Sequence, residues 1–173
     1  MNEKTEIERK FLIEMPGFEF LDIKRSFDII QTYLKNGENG SQRRVRKITE
    51  NGNESFVYTE KIFYSAVTRK ETEFEISSRQ YSELLSDSRK DCKAIVKKRI
   101  CFEYREQLFE LDIYPFSDKR AILELELDTP EQDIFFPKYI NIIKEVTGFE
   151  EYSNAALGTA EAFPEETPAE GDN

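Results

Sequence analysis

The sequence predicts a mainly β, α+β fold in which an antiparallel sheet carries one strongly charged face. Three observations point there. Charged residues recur two apart in nearly every extended stretch: Glu6 and Glu8 with Lys10, Arg44 and Arg46, Arg69 with Glu71 and Glu73, Lys97 and Arg99, Glu124 and Glu126. These pairs are embedded in apolar residues, as in Phe11–Ile13 and in Ile122, Leu123, Leu125 and Leu127. Alternation with period two puts such residues on opposite faces of a strand. Turn signals then separate the stretches, Asn51-Gly52 being the clearest.

The elements follow in order. A first strand holds Glu6 to Ile13, and Met15 to Arg25 reads as a loop with a short helix or turn around Pro16 and Gly17. Strands are expected over 27–35, 41–50, 56–63 and 67–76, with a helix over 77–88 capped near Ser78 and carrying Tyr81, Leu84 and Leu85 at helical spacing. A hairpin of 94–105 and 107–114 turns near Glu106, and 120–128 is the last strand. Tyr139, Ile140, Ile143 and Val146 suit a short packing helix over 137–146, and 152–157 another turn. Residues 1–160 are expected as one domain. The Pro- and Glu-rich residues 161–173 are expected to form a disordered acidic tail, since they offer too little apolar surface to offset their ordering entropy.

Composition narrows the chemistry. In 173 residues the net charge is −10 and 35% of residues are charged, which argues against a general binder of nucleic acid or anionic membrane. Two cysteines, Cys92 and Cys101, form no CxxC, and histidine is absent, so neither a zinc site nor a disulfide framework is suggested. A reduced, cytoplasmic setting is expected, without export or anchor. Any general base must be a carboxylate, a lysine, a tyrosine or a metal-bound hydroxide.

An open sheet with one solvated face explains any single strand. Taken together the strands favour a closed antiparallel barrel, with apolar faces outward beneath covering helices and charged faces lining the interior. Like charges so close repel unless something positive lies opposite. A lumen of this kind calls for water, metal and a polyanion.

The EIERKFL stretch at Glu6–Leu12 resembles the signature of the CYTH superfamily, the triphosphate tunnel metalloenzymes. The resemblance continues in order through QTYL at Gln31–Leu34, RVR at Arg44–Arg46, Lys61, RKETE at Arg69–Glu73, KKR at Lys97–Arg99, ELDIY at Glu110–Tyr114, LELEL at Leu123–Leu127, EVTG at Glu145–Gly148 and YSN at Tyr152–Asn154. It implies an eight-stranded tunnel with peripheral helices. It also implies metal ligation by Glu6, Glu8 and Glu126, and a second site from Glu71 or Glu73 with Asp112 and Glu124 that positions or activates water. Lys10, Arg44, Arg46, Lys61, Arg69, Lys97 and Arg99 would grip phosphate oxygens.

Arg matches phosphate with a planar fork and Lys acts as a point charge. Carboxylate oxygens suit Mg²⁺ or Mn²⁺, two ions being expected during turnover. Two departures from the family pattern are Glu151 where an Arg is common, and the lack of a Trp, whose place Phe135, Phe136 and Tyr139 would fill. The expected function is metal-dependent hydrolysis of inorganic triphosphate by a monomer or homodimer. Hydrolysis of a nucleoside or thiamine triphosphate, cyclisation of ATP, and binding of a polyphosphate or nucleotide without turnover stand as alternatives. No P-loop is present, so the chain acts without one or with a partner that has one.

Overall fold

The computed structural model describes residues 2–164. Nine strands, β1 (Asn2–Glu14), β2 (Asp22–Tyr33), β3 (Gln42–Glu50), β4 (Asn53–Phe63), β5 (Thr68–Ile76), β6 (Ile95–Tyr104), β7 (Gln107–Ile113), β8 (Arg120–Leu127) and β9 (Ile142–Glu145), are joined by two short helices, α1 (Ser78–Leu84) and α2 (Asn154–Leu157). All pairings among them are antiparallel. The sheet runs β5-β4-β3-β2-β6-β7-β8-β1 and closes on itself through β1 and β5, which makes an eight-stranded barrel with β9 added to β1.

Local turns set the hairpin registers. Asn51 and Gly52 both have positive φ, and Glu50 pairs with Asn53, the two-residue turn whose twist matches that of the strands. Arg105 and Glu106 make the same kind of turn between β6 and β7 without a glycine.

β1 is the strand that closes the barrel and opens its mouth. One of its edges pairs with β8 from Ile7 to Glu14. Its other edge pairs with β5 only as far as Ile7, and with β9 from Phe11. Between them β5 and β9 part, near Glu8 and Lys10. Gly148, at φ 75° just after β9, lets the two flanking loops meet there, since a Cβ on it would come within 2.7 Å of Ala66 Cβ.

Apolar residues occupy two distinct places. Outward-facing Phe11, Ile13, Phe102, Phe109, Leu111, Leu123 and Leu125 form the main core, covered by Ile134, Phe136, Tyr139 and Ile140. A second core lies at one end of the barrel. Leu12, Tyr33, Ile95, Tyr114 and Ile122, which share strand parity with the charged residues, pack there against Val146, Tyr152, Leu157 and Phe163. The lumen is therefore charged along part of its length and ends on an apolar floor supplied by the C-terminal segment. α1 packs outside the barrel through Tyr81 against Leu34, Val45 and Phe56.

Several expectations are corrected. Residues 137–146 do not form a helix: Ile142–Glu145 is β9. Beyond Ile7 the edge of β1 would otherwise be left unpaired, and an exposed strand edge gains more from a partner strand than a short isolated helix gains from its own turns. The cover over the main core is accordingly an irregular segment and not a layer of helices. β2 begins at Asp22, earlier than expected. The cap of α1 is Ser77, whose hydroxyl accepts from the Gln80 N–H while the Gln80 side chain accepts from the Ser77 N–H. Phe163 is fully buried, so the packed chain passes the expected boundary at 160; residues 165–173 of the expected tail lie outside the described residues. No helix among the described residues is long and apolar enough to cross a membrane.

Candidate active site

The charged half of the lumen is built from alternate residues of seven strands, Glu110 of β7 among them. Glu6, Glu8 and Lys10 come from β1, Arg44 and Arg46 from β3, Lys61 from β4, Arg69, Glu71 and Glu73 from β5, Lys97 and Arg99 from β6, and Glu124 and Glu126 from β8; all except Lys10 and Arg69 line an inner cavity of about 160 Å³. A wider cavity of about 340 Å³ lies at the mouth, lined by Lys10, Arg69, Phe63, Phe149 and Thr147 among others. Glu8, Arg44, Lys61 and Asn154 belong to both. Arg9 and Arg43, of opposite parity, bond on the outside to Glu145 and to Asp87.

Two ionic circuits hold these side chains. In the first, Glu6 Oε2 accepts from Lys61 Nζ at 3.1 Å and from Arg69 Nε at 2.5 Å, Arg69 Nη2 donates to Glu8 at 2.6 Å, and Lys61 pairs with Glu71 at 2.9 Å. Burial alone would raise the Glu6 carboxyl, but Lys61 and Arg69 outweigh it and hold it at about 2. In the second, Arg99 donates Nε and Nη2 to the two oxygens of Asp112 at 2.6 and 2.7 Å, Nη2 also to Glu124 at 2.8 Å, and Nη1 to Glu110. Lys97 donates to Asp112 at 2.5 Å, and Lys10 pairs with Glu124 at 3.1 Å. Burial pushes the Lys97 ammonium down to about 8 despite Asp112. The Glu124 carboxyl lies well below its ordinary range because Lys10, Arg99 and Lys97 outweigh its burial.

Asp112 stands apart from its expected role. It is fully buried, both its oxygens are engaged by Lys97 and Arg99, and it does not line the cavity. Glu71 and Glu73 both face the lumen; Glu73 accepts from Arg46 at 2.6 Å and from Thr59 at 3.1 Å.

Arg44 is the exception among the cations. It is buried, and it makes no hydrogen bond or ion pair with any of the described residues. Its charge adds to burial in lowering Arg46 to about 10 and in lowering Lys61. On the β3–β4 wall the positive charge is thus left without a counter-charge among the described residues at Arg44 alone.

The carboxylates form the opposing feature. Glu8 lies directly across from Glu126, and Glu110 from Glu124, positions where like charges destabilise a sheet. Each pair is held by a cation of the chain: Arg69 on Glu8, Lys4 on both oxygens of Glu126, and Arg99 between Glu110 and Glu124. The donors are all oxygens, the ligands that Mg²⁺ and Mn²⁺ prefer, and positions already taken by cations of the chain fit a divalent ion chemically. Among the described residues no three carboxylates converge as a ready ligand cluster, so the side chains must leave their ion pairs to bind one.

Four lining residues lay outside the expected set, Gln31 of the QTYL stretch being one. Lys4 has the parity of Glu6 and Glu8, so extending the first strand by two residues would have found it. Glu110 shares parity with Asp112. Asn154, inside the YSN stretch, accepts from Tyr114 at 2.8 Å and lies 3.4 Å from Lys97 Nζ.

A closed antiparallel barrel around buried, interleaved cations and carboxylates defines a charged-tunnel protein. No protein-family model and no curated sequence matches the chain. Among solved structures it is similar to the inorganic triphosphatase NE1496, with 25% identity over 90% of this chain and 95% of that one and a TM-score of 0.54. A second structure of NE1496 gives 0.55 and covers 98% of that chain. The PH1819 protein of Pyrococcus horikoshii OT3 shares the fold, at 20% identity, 72% and 79% coverage and a TM-score of 0.55. The likeness in fold to these proteins supports the CYTH resemblance carried by the sequence motifs.

Proposed function

We propose that the chain hydrolyses a triphosphate with the help of divalent cations, inorganic triphosphate being converted to pyrophosphate and phosphate. The observation that carries this reading is Arg44, a buried guanidinium with no partner among the described residues, at the junction of two cavities and beside Arg46 and Lys61. An uncompensated buried charge is costly, and a phosphate oxygen is the ligand its fork fits. The likeness to NE1496, an inorganic triphosphatase, supports the same choice.

Charge balance supports a metal-bound substrate. The ionisable lining of the inner cavity, with its ion-pair partners, sets Lys4, Lys10, Arg44, Arg46, Lys61, Arg69, Lys97 and Arg99 one for one against Glu6, Glu8, Glu71, Glu73, Glu110, Asp112, Glu124 and Glu126. A free triphosphate would leave that lumen strongly negative, whereas one carrying divalent ions would not. A simple anion-binding module needs the cations and has no use for the carboxylates.

In this reading Lys10, Arg44, Arg46, Lys61, Arg69, Lys97 and Arg99 orient the phosphates. Glu6, Glu8 and Glu126 would hold a divalent ion, with Glu73 and Glu124 as donors for a second. When bound, the ions neutralise charge on the phosphate oxygens and lower the pKa of water. Glu71 or Glu73 accepts the proton of the attacking water as it adds to the terminal phosphorus; the bond from that phosphorus to the bridging oxygen breaks, and pyrophosphate leaves with the electron pair. Asp112 anchors Lys97 and Arg99. Phosphoryl transfer depends mainly on position and charge neutralisation, so the lack of histidine is no obstacle.

One observation favours a second reading. Phe63 and Phe149, both half exposed, line the mouth cavity, and such rings suit the flat group of an organic triphosphate. The test is phosphate release from inorganic triphosphate, ATP and thiamine triphosphate with Mg²⁺, Mn²⁺ or neither, beside Glu8→Gln. Metal-dependent release from inorganic triphosphate that falls about a hundredfold in Glu8→Gln is expected. No metal-dependent release from any of the three would end the reading.

A further inference from the structure

The end of the lumen away from the apolar floor carries a cation of the chain, Lys4. Lys4 lies two residues before Glu6 on the same face of β1, across from Glu71 of β5, and its Nζ sits 3.0 and 3.2 Å from the two oxygens of Glu126. One ammonium on both oxygens of a carboxylate occupies the position that a hard cation takes. The pair is about half exposed on both sides, and an ion pair so placed is weak.

Glu126 also faces outward. It belongs to the inner cavity and to a separate one of about 310 Å³ whose lining includes Glu106, Glu110, Asp128 and Gln132 and has no Lys or Arg. The charged residues lining that side are all carboxylates, so a cation approaching along it meets its first ammonium, Lys4, at Glu126.

We propose that Lys4 is a built-in competitor for the divalent cation: it holds Glu126 in the resting protein, is displaced when the ion binds, and thereby sets the ion's affinity. This rests on the reading of Glu126 as a metal ligand. An alkylammonium is protonated across the neutral range, so the competitor keeps its charge wherever the ion would bind. A competitor held by a screened pair opposes the ion modestly, which scales with ionic strength.

The test is a titration of the full chain with Mn²⁺ alone, free Mn²⁺ being read by its electron paramagnetic resonance signal, for wild type, Lys4→Met, and Lys4→Met with Glu126→Gln. Lys4→Met is expected to bind Mn²⁺ about three- to tenfold more tightly, and the added Glu126→Gln to remove that gain. Equal or weaker binding by Lys4→Met, a gain that survives Glu126→Gln, or no Mn²⁺ bound by either protein would overturn the proposal. Thermal unfolding of the variants separates lost binding from lost fold. The outcome is distinct from failure of the enzymatic reading: retained metal-dependent phosphate release alongside any of those results removes only the role of Lys4.

Discussion

Lys97 donates to Asp112 at 2.5 Å inside the barrel wall, and neither side chain is reached by water, at 1% and 0% exposure. Arg99 shares the same carboxylate through two further bonds. Two cations thus share one buried anion, which is the carboxylate that holds Lys97.

Asp112→Asn is therefore expected to destabilise the fold by roughly 3 to 5 kcal/mol, the cost of leaving buried charge without its partner. Urea denaturation reads this directly. A double-mutant cycle with Lys97→Met should show strong coupling, because the second change removes one of the charges stranded by the first. A loss below about 1 kcal/mol would place Asp112 in a far wetter environment.

Arg44 predicts the opposite pattern. With no partner among the described residues, and with its charge pressing on Arg46 and Lys61, Arg44→Met should leave the midpoint of unfolding unchanged or raise it, while KM for inorganic triphosphate rises about tenfold or more. A site that binds anions is commonly a place where the empty fold is not at its most stable. Destabilisation together with an unchanged KM would count against Arg44 as a phosphate contact.

The thiols should differ in reactivity with pH. Burial, helped by Glu110, pushes Cys101 up to about 11, so at pH 8 about one molecule in a thousand carries its thiolate. A raised pKa stabilises the fold fully below the unfolded value, near 8.5, and that contribution is lost as pH rises through about 11. Labelling with a thiol-specific disulfide reagent at pH 8 should consume one thiol, the partly exposed Cys92, before Cys101. Equal rates would show that Cys101 is not sealed.

The β6–β7 turn offers a stabilising change. Glu106 adopts φ 59° without being glycine, a conformation that costs an L-residue roughly 1 kcal/mol. Glu106→Gly should raise stability by somewhat less than that, since glycine loses more freedom on folding. Arg105 is best kept, because its guanidinium lies over the rings of Tyr104 and Phe135. A lower midpoint in chemical denaturation would reverse the assignment.

Much of the wall of the lumen was legible residue by residue. Glu6, Glu8, Arg44, Arg46, Lys61, Glu71, Glu73, Lys97, Arg99, Glu124 and Glu126 line the inner cavity, and the period of two that marked them is a property of each strand alone. Asn51-Gly52 likewise announced its own turn. β9 was not legible, because Ile142–Glu145 takes its conformation from the free edge of β1 more than from its own spacing. Lys4 was missed for a simpler reason: the first strand starts earlier than its apolar residues suggested.

What the sequence determined by itself was which side chains share a face, and hence that cations and carboxylates would be gathered on one side of a sheet. Tertiary structure decided how that side was used. Closure of β1 on β5 turned the face into a lumen, the C-terminal segment gave it an apolar floor, and long-range pairing assigned a carboxylate to nearly every cation while leaving Arg44 with none among the described residues. These outcomes depend on contacts between strands far apart in the chain, and alternation within one strand carries no information about which strand will lie opposite.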